Sequence, residues 1–257
     1  MSRAQARPAK PLVVLKFGSS VLEGAPGFRR AVEQIHSELA NGRQVCAVVS
    51  ATPGTTDRLW REAHDLALQP QPGLLGGLLA TGEHASVNLL SIALAARGVR
   101  VAALTTDQLG LRTEGPPFDA HPIGLDSTAL CAAFEDADVV VAPGFIGRNE
   151  AGEVTLLGRG GSDLTALFVG HVLEADCCLV KDVDGLYDGD PNCPHNPAQR
   201  RYIRANWDEL ARVGDVVVQP KAVWFAKMHG LRFRVAAIGR EGTEIGPGPN
   251  VFERVAS

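Results

Sequence analysis

The 257-residue chain has little cysteine, and what it has is arranged against a disulfide scaffold: five residues, an odd number, without zinc-site spacing. Cys177 and Cys178 are adjacent inside an apolar run, which reads as buried thiols of a reducing compartment and predicts a cytoplasmic protein. No apolar run approaches the roughly 20 residues of a spanning helix, so no membrane contact is expected. Residues 1–11 are basic and small, but the apolar stretch that follows, residues 12–15, is only strand-sized and cannot be a signal-peptide core. We read residues 1–11 as a flexible arm and 12–257 as one domain. A formal net charge of -4 offers no general attraction to nucleic acid. Aromatics are scarce. Trp60, Trp207 and Trp224 fit helix faces and are read as packing rather than as a base-stacking platform.

What is present is an ordinary apolar content of 45%, enough at this length for one core without disulfides or metals. Residues 13–17 form an apolar run that ends at Gly18-Ser19-Ser20. Phe28, Val32, Ile35 and Leu39 then recur at helical spacing until Asn41-Gly42. Residues 45–49 repeat the pattern of a buried strand ending in a loop of small residues. Helices are predicted at about 58–68 and 83–96, with a Pro/Gly break between them, and strands at 99–104 and 139–142. This alternation predicts a mainly parallel sheet covered on both faces. Residues 145–157 read as a hairpin about Asn149-Glu150-Ala151-Gly152. A glycine-rich loop (158–162), a helix (163–173), a strand (177–181), an irregular stretch (182–197), two helices and a last strand at 233–238 complete the reading.

Two loops can present backbone N–H groups to an anion: Lys16-Phe17-Gly18-Ser19-Ser20 and Gly158-Arg159-Gly160-Gly161-Ser162-Asp163. Neither has Walker A spacing, and neither is a GxGxxG fingerprint. Lys16 ends a buried strand, so its ammonium must reach water, a carboxylate or a ligand. Asp163 heads a helix, where an N-cap would also be an aspartate, but capping does not explain the Arg-Gly-Gly-Ser before it. The loop from Lys181 to Pro191 carries Asp182, Asp184, Asp188, Asp190 and Tyr187. It suits a nucleotide or hydrated magnesium better than an EF-hand, whose glutamate at position twelve is absent.

Together these segments resemble the catalytic domain of aspartokinases, within the amino-acid kinase superfamily. Lys16-Phe17-Gly18-Ser19-Ser20-Val21 is similar to their opening Lys-Phe-Gly-Gly-Thr-Ser and to the Lys-x-Gly-Ser-Ser of glutamate 5-kinases. Ser50-Ala51 with Gly54-Thr55-Thr56-Asp57, Gly82-Glu83, Pro143 to Gly147, Thr155 to Asp163, Asp182 to Tyr187 and Gly242-Thr243-Glu244 follow in the family's order, over about residues 12–246. The resemblance implies a three-layer α/β/α sandwich with a central, mostly parallel sheet. It implies ATP with Mg2+ as cosubstrate, an acidic amino acid as acceptor, and a homodimer. It further implies that Lys16 neutralises the transferring phosphoryl group and Asp163 organises the catalytic groups. Gly18, Ser19, Ser20, Gly160 and Gly161 would cradle phosphates, with Lys181, Asp182 and Tyr187 on the nucleotide. Thr56, Glu83, Arg159 and Ser162 would hold the acceptor, Glu83 facing its ammonium and Arg159 forking onto a carboxylate.

Three positions depart from the family pattern. Asn192 replaces the usual arginine after Asp-Pro, and Val216 aligns with a lysine. Lys181 stands where threonine is usual. Lys221, five positions beyond Val216, is left open as a substitute. The chain ends where the resembled catalytic domain ends, so no ACT domain is expected. Three functions remain open on this reading: an aspartate kinase, a kinase for another carboxylate such as glutamate or an N-substituted acidic amino acid, and a ligand-binding homologue without catalysis.

Overall fold

The computed structural model describes residues 10–189, 199–213 and 217–253. Of the arm expected at 1–11, residues 1–9 lie outside the described residues, as do Asn192 and Val216, while the Pro11 carbonyl accepts from the Gln44 amide at 2.9 Å and so belongs to the domain. Elements follow in the order β1 (Leu12–Phe17), α1 (Gly24–Ala40), β2 (Gln44–Val49), α2 (Thr55–Leu66), α3 (Pro72–Ala95), β3 (Val101–Ala103), α4 (Thr106–Leu109), β4 (Leu111–Glu114), β5 (His121–Leu125), α5 (Thr128–Asp136) and β6 (Val139–Pro143). The hairpin β7 (Ile146–Arg148) and β8 (Val154–Leu156) leads to α6 (Gly161–Leu173) and β9 (Asp176–Val180). The chain then forms β10 (Tyr202–Ala205), α7 (Trp207–Val213), α8 (Pro220–Met228), β11 (Phe233–Ala236), β12 (Thr243–Ile245) and β13 (Val251–Phe252).

Nine strands form one sheet in the order β13-β10-β12-β11-β9-β1-β2-β6-β3. All its pairings are parallel except β13 with β10 and β11 with β12. The central strands β1 and β2 are almost wholly apolar because helices cover both of their faces. Alternation sends Val13, Leu15 and Phe17 toward α1 and α3, while Val14 joins the core beneath α5, α6 and α8. Lys16 shares the parity of Val14, so its side chain leaves the sheet on the α6 face. The expected sandwich is therefore the observed one.

Several boundaries differ, each for a physical reason. The predicted Pro/Gly break is present but shorter, at residues 67–71 between α2 and α3, and the second helix starts before residue 83: Pro72 occupies the first turn of α3, where a missing N–H costs nothing, and the helix runs through Gly76, Gly77 and Gly82. Gly76 and Gly82 act by close approach, since a Cβ at Gly76 would lie 2.9 Å from the Val154 carbonyl and one at Gly82 would lie 3.0 Å from the Ala51 Cβ, whereas one at Gly77 would meet open space. Glu83 consequently sits in mid-helix rather than in a first turn. By length and mean hydropathy α3 could pass for a membrane span, but 44% of that window is packed inside the domain and Glu83 lies within it.

A second, four-stranded sheet, β5-β4-β7-β8, extends the expected hairpin. β4 and β5 went unread because their alternation is short and polar on one face. β10, β12 and β13 were likewise missed, so residues 233–236 are not the last strand. Trp207 packs as expected, its indole N–H donating to the Leu231 carbonyl at 3.0 Å. Trp224 does not; it is 63% exposed. His84 is half-buried against the Thr106 hydroxyl at 3.0 Å, whereas His171 is exposed beside His229.

Candidate active site

Strand β1 delivers Lys16 to the C-terminal edge of the sheet, and the turn after it begins at Gly18, whose carbonyl accepts from the Val21 and Leu22 amides. A Cβ at 18 would lie 3.1 Å from the Lys16 ammonium, so glycine leaves that ammonium its full space beside the loop. Beside it, Gly160 caps α6 with φ +74, and the helix starts with Gly161, Ser162 and Asp163, all buried. Asp163 is therefore the third helical residue and not the N-cap. Ser162 lies so close to Gly144 that a Cβ there would sit 2.7 Å from the Ser162 Cβ.

Asp163 is held between two cations. Its Oδ1 is 2.9 Å from the Lys16 ammonium, and its Oδ2 accepts from Lys181 at 2.7 Å. Burial alone would push this carboxyl up, but the attraction of Lys16 and Lys181 outweighs burial and holds it below the usual carboxylate value. Burial, reinforced by repulsion from Lys16, pulls the Lys181 ammonium down against the pull of Asp163. One carboxylate between two lysines leaves the cleft floor with an excess positive charge suited to phosphate oxygens.

These groups open onto a cleft of about 610 Å³. Lys16, Gly18, Ser19, Ser20, Thr56, Glu83, Arg159, Gly160, Gly161, Ser162, Asp163, Lys181 and Asp182 all line it. Tyr187 does not: it sits further along its loop, where its hydroxyl donates to Asp184 at 2.8 Å. Lys221 does not reach the cleft either. Glu83 projects from α3, 3% exposed; one oxygen accepts from the Ala51 amide at 3.2 Å, while the other has no hydrogen-bond partner among the described residues. Desolvation raises its carboxyl to about 7, against a smaller lowering by the Ala51 amide. Arg159 is exposed at the rim, without a hydrogen bond or ion pair among the described residues.

Sequence reasoning missed Phe145, Val217 and Gln219, which also line the cleft. Phe145 has φ +70, a conformation unusual for an aromatic, held by its amide on the Thr165 hydroxyl (3.1 Å) and by its carbonyl on the Leu157 amide (2.9 Å). Its place between Gly144 and the hairpin was the available signal. Val217 and Gln219 lie beside Val216 in a segment where the family pattern draws attention to the aligned lysine position alone.

Among the described residues no group of three or more metal-ligating side chains converges. Asp163 is committed to its two lysines, leaving Asp57, Glu83 and Asp182 as cleft carboxylates, of which Glu83 is the one set into α3. That donor set fits Mg2+ arriving on substrate phosphates, since this ion keeps waters and needs only one or two protein carboxylates.

Strands ending in glycine loops and cations at one edge of an open parallel sheet define an α/β domain whose ligand cleft is built for anions. The model of the amino acid kinase family matches residues 11–237, and the chain belongs to that family. It is 35% identical over 246 residues to aspartokinase 2 of Bacillus subtilis, covering 94% of this chain and 59% of that protein. It is also 35% identical over 235 residues to an aspartokinase of Pseudomonas aeruginosa, covering 90% and 57% respectively. Among solved structures, the aspartate kinase from Synechocystis superposes with a TM-score of 0.79 at 29% identity, over 93% of this chain and 40% of that one. The chain thus spans less than three-fifths of the length of the two curated relatives.

Proposed function

We propose that this domain transfers the γ-phosphoryl group of ATP to the side-chain carboxylate of L-aspartate, giving 4-phospho-L-aspartate and ADP. The observation that carries the reading is Glu83: a buried carboxylate with one unpartnered oxygen, in the same cleft as Arg159 and the Lys16–Asp163–Lys181 cluster. A desolvated oxygen that has lost its water is stabilised by a cation, and an amino-acid ammonium is a cation of the right size. Arg159, unpaired at the rim, offers a planar fork for a carboxylate. The similarity to aspartokinases favours aspartate among acidic amino acids.

The chemistry asks mostly for positioning and charge neutralisation. A carboxylate oxygen of the acceptor attacks the γ-phosphorus in line. The bond from that phosphorus to the β,γ-bridging oxygen breaks, and its electron pair leaves with ADP. No proton need move. Lys16 and Lys181 face the oxygens on which negative charge is redistributed, and Asp163 fixes both ammoniums. The amides of Gly18 to Ser20 and of Gly160, the residue that caps α6, suit phosphate oxygens, while the Gly161 amide donates to the Gly158 carbonyl at 3.0 Å and closes the loop. Mg2+, when bound with ATP, would supply further neutralisation of the triphosphate, and Asp182, which lines the cleft, is a carboxylate that would hold it. Lys181, where the resembled family has threonine, adds a cation to a site whose pattern at 192 and 216 lacks two.

A cytoplasmic location accords with four buried free cysteines, Cys46, Cys131, Cys177 and Cys178. A homodimer accords with Leu74, Leu89 and Ile92 exposed along α3. Hydroxylamine trapping of the acyl phosphate decides the acceptor, with ATP, Mg2+ and a panel of aspartate, glutamate and their N-acetyl derivatives. Hydroxamate from aspartate above all others is expected. Preference for an N-acetylated acid would transfer the reading to another carboxylate. No product and no ATP binding by calorimetry would leave a non-catalytic homologue.

A further inference from the structure

Lys221 is the second residue of α8, and its ammonium is fully occupied outside the cleft. Its three protons meet three acceptors: Asp119 Oδ1 at 2.8 Å, the Ala120 carbonyl at 2.8 Å and the Leu157 carbonyl at 2.9 Å. Leu157 immediately precedes the glycine loop. The Asp119 carboxylate in turn fills the space beside Gly158, where φ is +73 and a Cβ would lie 2.5 Å from Oδ1. On the other side Gln219, the residue that caps α8, fills the space beside Gly160, where φ is +74 and a Cβ would lie 2.4 Å from the Gln219 Cβ.

The start of α8 therefore grips the loop at Gly158 through Asp119 and at Gly160 through Gln219. Arg159 is the residue between the two gripped glycines. A glycine-rich loop left to itself samples many backbone directions, and an arginine on it would point accordingly. Anchoring both neighbours restricts the directions open to Arg159.

We propose that Lys221 is a positioning residue: through Asp119 and the Leu157 carbonyl it holds the Gly158–Gly161 loop so that Arg159 is presented to the acceptor. This rests on the reading of Arg159 as the acceptor's carboxylate partner. It also separates Lys221 from the lysine that Val216 replaces, since an ammonium with three protein acceptors has no proton left for a phosphate.

The experiment compares Lys221→Met, Lys221→Arg and Asp119→Asn in the full chain, with two readouts. Steady-state kinetics should give an acceptor KM raised about tenfold in Lys221→Met while the ATP KM stays within about twofold, with Lys221→Arg recovering most of the loss. Native trypsin digestion, followed by mass spectrometry, should cleave the Arg159–Gly160 bond about tenfold faster in Lys221→Met, because cleavage tracks local opening. Asp119→Asn, at an exposed side chain, keeps the test alive if Lys221→Met fails to fold; it should move both readouts the same way by less. Equal changes in both KM values, or a lowered melting temperature with unchanged cleavage, would overturn the proposal. If the wild type turns over no acidic amino acid, the kinase reading falls, and the cleavage rates still decide whether Lys221 holds the loop.

Discussion

Lys181 Nζ lies 2.7 Å from Asp163 Oδ2, on the opposite side of the carboxylate from Lys16. A residue that departs from the family pattern in sequence is thus part of the charged centre of the cleft. Replacing it by the family's threonine should lower kcat about 100- to 1000-fold, the loss expected for one charge-stabilising donor. Lys16 would still pair Asp163, so the stability loss should be on the order of 1–3 kcal/mol, less than for a carboxylate left alone. Urea denaturation alongside kinetics measures both. Unchanged kcat would remove Lys181 from the chemistry.

Lys16→Ala should abolish measurable turnover while the protein remains folded, because Lys181 continues to neutralise Asp163. Circular dichroism and a thermal melt provide the control. If activity and melting temperature fell in proportion, Lys16 would be a structural residue whose partner happens to line a cleft.

Glu83 links pH to both stability and acceptor use. Its carboxyl stands at about 7 in the fold against an ordinary value of 4.5. Between those values the unfolded chain has released a proton that the folded chain retains, so stability falls as pH rises through this window and is level above it. Glu83→Gln should be indistinguishable from wild type near pH 4.5 and more stable at pH 8, by on the order of 3 kcal/mol. The wild-type kcat/KM for the acceptor should rise toward a plateau above about pH 7 as the carboxylate forms. The variant should lose that rise together with acceptor affinity. A flat profile in the wild type would detach Glu83 from the ammonium.

Arg159→Lys keeps the charge and loses the fork. The acceptor KM should rise more than the ATP KM, and Arg159→Ala should weaken acceptor binding by about 1.5–3 kcal/mol. Titration calorimetry with each ligand separately distinguishes the two sides of the cleft. An effect confined to ATP would move Arg159 to the nucleotide.

Gly144→Ala tests the packing under the site. The added methyl would meet Ser162 Cβ at 2.7 Å and its Cα at 3.0 Å, and Ser162 cannot retreat because it is already buried at the start of α6. A loss of about 1–3 kcal/mol is expected from overpacking, read from the urea midpoint. No change in stability would mean that the α6 N-terminus yields more readily than its burial suggests.

The sequence by itself determined the parallel centre of the sheet and most of the charged and glycine residues of the cleft. Continuous apolar runs at β1, β2 and β6 can only be strands covered on both faces, and each ends in small residues where a ligand can approach. Glycine and charge patterns near residues 16–20, 158–163 and 181–182 marked loops that the structure brings to one edge. What it could not decide is how those loops meet. The glycines of α3 delay the reading of its start to residue 83 because glycine's local meaning is flexibility; only the nearness of Val154 to Gly76 and of Ala51 to Gly82 makes those two contact points inside a helix. Lys181 read as an odd substitution and Lys221 as a possible replacement cation, since linear spacing carries no information on which carboxylate each ammonium reaches. β9 lies next to β1 in the sheet, so Lys181, in the residue after β9, comes beside Lys16 and shares Asp163 with it, while α8 turns Lys221 outward onto Asp119 and two carbonyls. Burial then gave Glu83 its raised pKa. That is a property of the space around a side chain, and it exists only once the chain has closed over it.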